Sequence, residues 1–183
     1  MKTRPKRLGG GLAVVLVLAL AAATATAVAA QAAASPCRSG ALATTAHYRF
    51  AISLVPVEAM YTQAQVKAKH PTSGEVMLGG VMSAMGKMAM GSARHLEVHI
   101  CRRASGAVVT GASPAITITG ANGMTTRVPV ADMEGIGMGR SDYHYGNNVA
   151  LAAGSRITVT VTLRGERASV RLTVPKSSTG MSG

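Results

Sequence analysis

Between residues 47 and 175 the chain alternates apolar and polar positions with a period of two, in short runs broken by turn residues. That alternation sends successive side chains to opposite faces of a strand. The clearest run is Arg156–Leu163, where Ile157, Val159, Val161 and Leu163 interleave with threonines. Ala115–Thr119 and Met124–Val130 read as a hairpin around Ala121-Asn122-Gly123. His47–Val57, Glu75–Leu78, His95–Arg102, Ala107–Thr110, Val149–Leu151 and Ala168–Val174 complete the predicted strands. Glu58–Lys69 is the one stretch of helical character, closed by Pro71 and Gly74. Two glycine-rich stretches, 79–91 and 131–146, read as long loops. Short strands with frequent turns and almost no helix predict an all-β sandwich.

The ends of the chain read differently. Lys2, Arg4, Lys6 and Arg7 precede an uncharged apolar run, and small residues follow at Ala25–Ala27, Ala27–Ala29 and Ala32–Ala34. This is the pattern of a cleaved signal peptide over residues 1–34. The alternative is an uncleaved anchor, which the small-residue tail disfavours. Residues 35–46 then form an extended lead-in, 47–175 the folded domain, and 176–183 a disordered polar tail. The expected setting is secreted or extracytoplasmic, associated with the cell envelope.

Charge narrows the choice of partners. The formal charge of +12 falls to +8 once the four cations of the leader are set aside. A basic surface attracts anionic polymers and phospholipid. Nucleic acid is disfavoured: one Phe, four Tyr and no Trp cannot build a stacking platform. The same shortage makes the core aliphatic and lean. The two cysteines, Cys37 and Cys101, are expected to form a disulfide in an exported chain. The competing reading makes Cys101 a thiolate ligand beside His99.

Candidate chemistry gathers around histidine. In His95-Leu-Glu97-Val-His99, strand alternation puts two imidazoles and a carboxylate on one face, and Leu96, Val98 and Ile100 on the other. Alternate side chains on one strand stand about 6.6 Å apart, so one ion needs a further strand or loop. The bland alternative is an inert histidine strip on an exposed sheet. His144 heads a second segment, with Met133, Met138 and Asp142 shortly upstream. Imidazole, carboxylate and thioether together suit a transition metal, and thioether favours Cu(I). A methionine run, Met82, Met85, Met88 and Met90, reads either as a copper-recruiting loop or as an adaptable apolar one. Enzyme templates are missing: no Gly-x-Ser-x-Gly, no His-Glu-x-x-His, no P-loop and no dinucleotide fingerprint.

Three segments resemble a known family. Ala51–Met60 (AISLVPVEAM), Arg94–Ile100 (RHLEVHI) and Asp142–Val149 (DYHYGNNV) resemble, in order, segments of the copper-binding periplasmic accessory proteins of bacterial ferrous iron uptake. The resemblance implies an immunoglobulin-like two-sheet β-sandwich with one short helix or turn after the first strand, and a homodimer. It also implies a metal site in which His95 and His144 are ligands, Glu97 is a nearby carboxylate and a methionine, Met133 or Met138, completes the set. The family's late histidine has no counterpart after His144, which leaves two alternatives: His99, His47 or Met60 substitutes for it, or the site lacks a ligand. The expected function is binding of copper, with iron as the second metal, and delivery to a membrane iron or copper transporter, without turnover. A metal-free, cell-wall-associated interaction domain with a basic surface is the alternative. An oxidase of Fe(II) or Cu(I) is a third, weaker reading.

Overall fold

A computed structural model describes residues 36–81 and 93–176. The leader read over 1–34, the methionine run at 82–90 and the tail beyond Lys176 lie outside the described residues. Within them the alternating segments are strands: β1 (Ala41–Thr44), β2 (Tyr48–Val55), β3 (Met60–Thr62), β4 (Glu75–Gly80), β5 (Ala93–Arg102), β6 (Ala115–Gly120), β7 (Thr125–Val128), β8 (Ala131–Gly135), β9 (His144–Ala150), β10 (Arg156–Leu163) and β11 (Glu166–Thr173). They make two sheets, ordered β1-β2-β5-β9-β8-β4-β3 and β11-β10-β6-β7. The fold is an all-β two-sheet sandwich with one short helix, α1 (Gln63–Lys69).

The sheets meet through the apolar half of each alternation. Phe50 and Ile52 of β2, Leu96, Val98 and Ile100 of β5, and Tyr145 of β9 pack against Ile116, Val159 and Val161 of the smaller sheet, and all are buried. Each such aliphatic side chain contributes ~1.5–3 kcal/mol through burial. Arg94 shares that inward face at one end, fully buried, with its guanidinium donating to the carbonyls of Ala93 and Pro175, both at 2.7 Å. It thereby ties the chain leaving β11 to β5.

Several boundaries differ from the sequence reading, each for a local reason. The lead-in contains β1, paired with β2 from Ala41↔Ile52 to Thr44↔Arg49. The first half of Glu58–Lys69 holds β3, which pairs in parallel with β4; the helix starts only at Thr62, which caps it. Thr62 Oγ1 accepts from the Gln65 N–H at 3.2 Å and Gln65 Oε1 accepts from the Thr62 N–H at 2.8 Å. Ala107–Thr110 is not a strand and makes only an isolated bridge, Cys101↔Val108. The largest correction concerns 131–146, which is not a long loop: β8 fills its start and β9 begins at His144. Its glycines at 135 and 146 belong to strands: at Gly146 the β5 backbone leaves no room for a side chain, and Gly135, ending β8, lies against the Asp142 carboxylate.

Cys37 and Cys101 are joined, with Cα atoms 6.1 Å apart, and are buried beside Ala51. Cys101 is therefore not a thiolate ligand. A disulfide places the chain in an oxidising, extracytoplasmic setting, and among the described residues no helix is long and apolar enough to cross a membrane. Replacing both cysteines with serine opens a loop with a sequence separation of 64. In the chain-entropy model this lowers stability by about 4 kcal/mol. Urea melts of the two proteins check it; an unchanged midpoint at equal slope would refute it.

Candidate metal centre

β5 and β9 build the site between them. Leu96, Val98 and Ile100 anchor β5 in the core, so His95, Glu97 and His99 stand on the opposite face. β9 pairs with β5 in the register His95↔Asn148 and Glu97↔Gly146, which brings His144, Gly146 and Asn148 to that same face. Gly146 is the enabling residue: a Cβ there would lie only 1.7 Å from the Leu96 carbonyl oxygen. With the strands this close, His95 Nε2 and His144 Nε2 lie 3.2 Å apart, their rings edge to face. The His99 ring centroid is 5.5 Å from that of His144. Donor atoms of His99, Asp142 and His144 all lie within 4.8 Å of one another.

The three imidazoles are oriented alike. His95 Nδ1 donates to Asn148 Oδ1 at 3.0 Å, His99 Nδ1 to the Tyr143 carbonyl at 3.0 Å, and His144 Nδ1 to the Asp142 carbonyl at 2.7 Å. Asn148 is held in turn by donating Nδ2–H to the Glu58 carbonyl at 2.9 Å. Each Nε2 is thus left as a lone-pair donor, the tautomer in which outer partners hold metal-ligating histidines. Two bonds of about 2.0–2.1 Å from one ion, at right to tetrahedral angles, span about 2.9–3.4 Å between nitrogens. The His95–His144 separation falls in that interval.

The other face of β9 fixes the strand from behind. Tyr143 and Tyr145 point into the core, the Tyr143 hydroxyl donating to Asp132 Oδ2 at 2.7 Å and accepting from the Gly111 N–H at 2.8 Å. Tyr145 donates to the Val109 carbonyl at 3.0 Å and accepts from the Ala112 N–H at 2.9 Å. Burial pushes both phenols up, so they remain protonated donors.

Four of the chain's seven acids surround these histidines. Glu75 Oε2 lies 3.9 Å from His144 Nε2 and Glu97 Oε2 lies 3.9 Å from His99 Nε2. Glu58, Asp142 and Glu97 act electrostatically on Glu75. Burial, a hydrogen bond with Glu58 and these neighbouring acids push Glu75 up to about 9. Burial also lowers His95 and His144, with the neighbouring imidazole adding to the effect in each. At neutral pH the Glu75 carboxyl and the His95 and His144 imidazoles are therefore neutral, and Glu75 Oε2 is buried with no hydrogen-bond partner. Buried polar atoms ordinarily find one, and this oxygen is turned toward His144 Nε2, 3.9 Å away.

Sulfur is near as well. Met133 of β8 sits directly across from His144 and is fully buried; Met77 of β4 sits directly across from Met133. Register thus lines two thioethers and an imidazole along one row of the sheet.

Among the sequence-predicted residues, His95, His99 and His144 come together, and Met133 faces the same side. Glu97 stands at the margin, accepting from Ser53 Oγ at 3.0 Å. Met138 lies in the turn after β8 and is 60% exposed, so it does not join the buried cluster. His47 is distant: it pairs with Glu166 at the surface, Nδ1 to Oε1 at 2.5 Å. Sequence reading missed Glu75, which carries no motif; Met77 was read only as the start of the methionine run, and Glu58 only as part of the Ala51–Met60 segment. The signal for Asn148 was present in the segment that begins at His144. Compared with protein-family models, curated proteins and solved structures, the chain matches none.

Proposed function

We propose that the protein is an exported transition-metal-binding protein that takes up copper as cargo and passes it to a membrane transporter, in metal uptake. One observation carries the reading: the 3.2 Å approach of His95 Nε2 to His144 Nε2, with both Nδ1 atoms already committed elsewhere. His95, His144 and His99 would hold the ion, Met133 would add a soft donor, and Glu75 and Asp142 would balance its charge. Imidazole with thioether suits copper in either oxidation state; the carboxylates keep iron as the second candidate. The resemblance of the three segments to copper-binding accessory proteins of iron uptake supports the same class. The mechanism is coordination, in which Glu75 gives up its proton as the ion enters.

His144→Ala is expected to weaken Cu(I) and Cu(II) binding by roughly a hundredfold or more, and His95→Ala to do the same, with the far-ultraviolet dichroism unchanged. Competition titration against chromophoric copper chelators reads it. Retention of full affinity by both variants would sink the proposal.

A further inference from the structure

The second sheet has an outward face that the metal cluster does not use. In β6, β7, β10 and β11 the outward positions are 115, 117, 119, 125, 127, 156, 158, 160, 162, 167, 169, 171 and 173. Seven of them are threonine, one is serine, four are arginine and the last is Ala115. None is acidic. Their register sets them in rows across the strands: Thr125–Thr119–Thr158–Arg171 is one, and Arg127–Thr117–Thr160–Ser169 the next. Hydrogen bonds at 2.8 Å, Thr119 to Thr125 and Thr160 to Ser169, confirm the common face and lock the hydroxyls into place; Thr160, at the centre of its row, is buried, so the hydroxyls open to a ligand are those around it.

A solvated sheet face ordinarily mixes charge signs, because opposite charges across strands stabilise and like charges oppose. This one forgoes that. Its hydroxyls repeat about every 4.8 Å across strands and about 6.8 Å along them, and β-branching stiffens each threonine. Its four guanidiniums stand at the margins, where Arg127, Arg156, Arg167 and Arg171 are all exposed. Arg156 and Arg171, on adjacent strands, flank a shallow groove of about 380 Å³ floored by Thr119, Thr158 and Thr173. Hydroxyls both donate and accept, matching the hydroxyls of sugars. Arginine forks match the oxygens of anionic groups two at a time.

We propose that this face docks a linear acidic polysaccharide, its anionic groups on Arg156 and Arg171 and its sugar hydroxyls on the threonine rows. A membrane fits less well, because the face offers no large apolar side chain to insert. Nucleic acid fits less well, because the face has no aromatic ring on which a base can stack. The face belongs to the opposite sheet from His95 and His144, so docking and metal binding occupy separate surfaces.

The test is binding of the purified protein to alginate, with neutral dextran, phosphatidylglycerol vesicles and single-stranded oligo-dT as comparison probes. Alginate is expected to bind at low ionic strength and dextran not to bind. Arg156→Gln with Arg171→Gln is expected to weaken alginate binding roughly tenfold or more. Arg49→Gln with Arg102→Gln, which removes the same charge from exposed positions on the other sheet, should leave affinity within about twofold, and Thr119→Val with Thr158→Val should weaken it by about threefold. Equal losses in both arginine pairs would mean net charge alone and overturn the proposal. So would vesicles or oligo-dT binding as tightly as alginate, or alginate failing to bind. Unchanged dichroism and copper affinity in the arginine variants establish that the fold is intact.

Discussion

Gly146→Ala should be the most damaging glycine-to-alanine change among the described residues. A Cβ there would stand 1.7 Å from the Leu96 carbonyl oxygen and 2.9 Å from its carbon. Both belong to the backbone of β5, so no rotamer change relieves the overlap; β9 must separate from β5 or shift. The two strands are central neighbours in the larger sheet, and their separation breaks ladder bonds as well as core contacts. Overpacking in a well-filled core typically costs 1–3 kcal/mol, and a rigid backbone obstacle puts Gly146→Ala at roughly 3 kcal/mol or beyond. Any folded remainder should bind copper poorly, because the His95–His144 approach depends on the same closeness. Gly120→Ala is the matched control: its Cβ meets only the tip of Asn122, at 3.0 Å, and should change stability by less than about 1 kcal/mol. Denaturant midpoints for the two variants decide it, and equal midpoints would refute the argument.

Stability of the metal-free protein should fall as pH rises above neutrality. Folded Glu75 releases its proton at about 9, against 4.5 in the unfolded chain. Between those values the native state holds the extra proton, so raising pH favours unfolding. Each pH unit removes at most about 1.4 kcal/mol, and the decline should total a few kcal/mol by pH 9. His95 and His144 act in the other direction at lower pH. Their folded values lie below 6.5, so the unfolded chain binds more protons there and stability climbs as pH approaches 6.5. The two trends leave a maximum near pH 6.5. Glu75→Gln keeps the neutral, hydrogen-bonding shape and deletes the titration, so its stability should stay flat where the parent declines. Urea melts of both proteins between pH 6.5 and 9 test this; parallel slopes would show that Glu75 is not responsible.

What could be read from the chain, and what could not, divides along physical lines. Period-two alternation in Arg156–Leu163 and in the strand carrying His95 was enough to assign the sandwich, because a half-buried strand imposes that pattern on its own residues. The face shared by His95, Glu97 and His99 followed from the same rule. The disulfide followed from two cysteines in a chain read as exported. Glycine misled: in 131–146 it signalled a loop, whereas Gly135 and Gly146 serve close packing inside strands, Gly135 lying against the Asp142 carboxylate. That error left Met133 and Met138 as equals, whereas the register of β8 puts Met133 beside His144 and leaves Met138 in an exposed turn. Glu75, and the placing of Met77 beside Met133, were illegible because cross-strand neighbours are set by sheet order, and β4 lies beyond β8 rather than beside β5. No local pattern encodes that order.

β9 faces two ways, phenols behind and imidazole in front, and the rear hydrogen bonds to residues 109–112 and Asp132 clamp it independently of whatever arrives at the front. A cage whose walls are already rigid spends little ordering entropy on its guest. Discrimination among ions would then rest on radius and donor softness, and the tempo of loading and unloading on solvent access at the Glu97 margin.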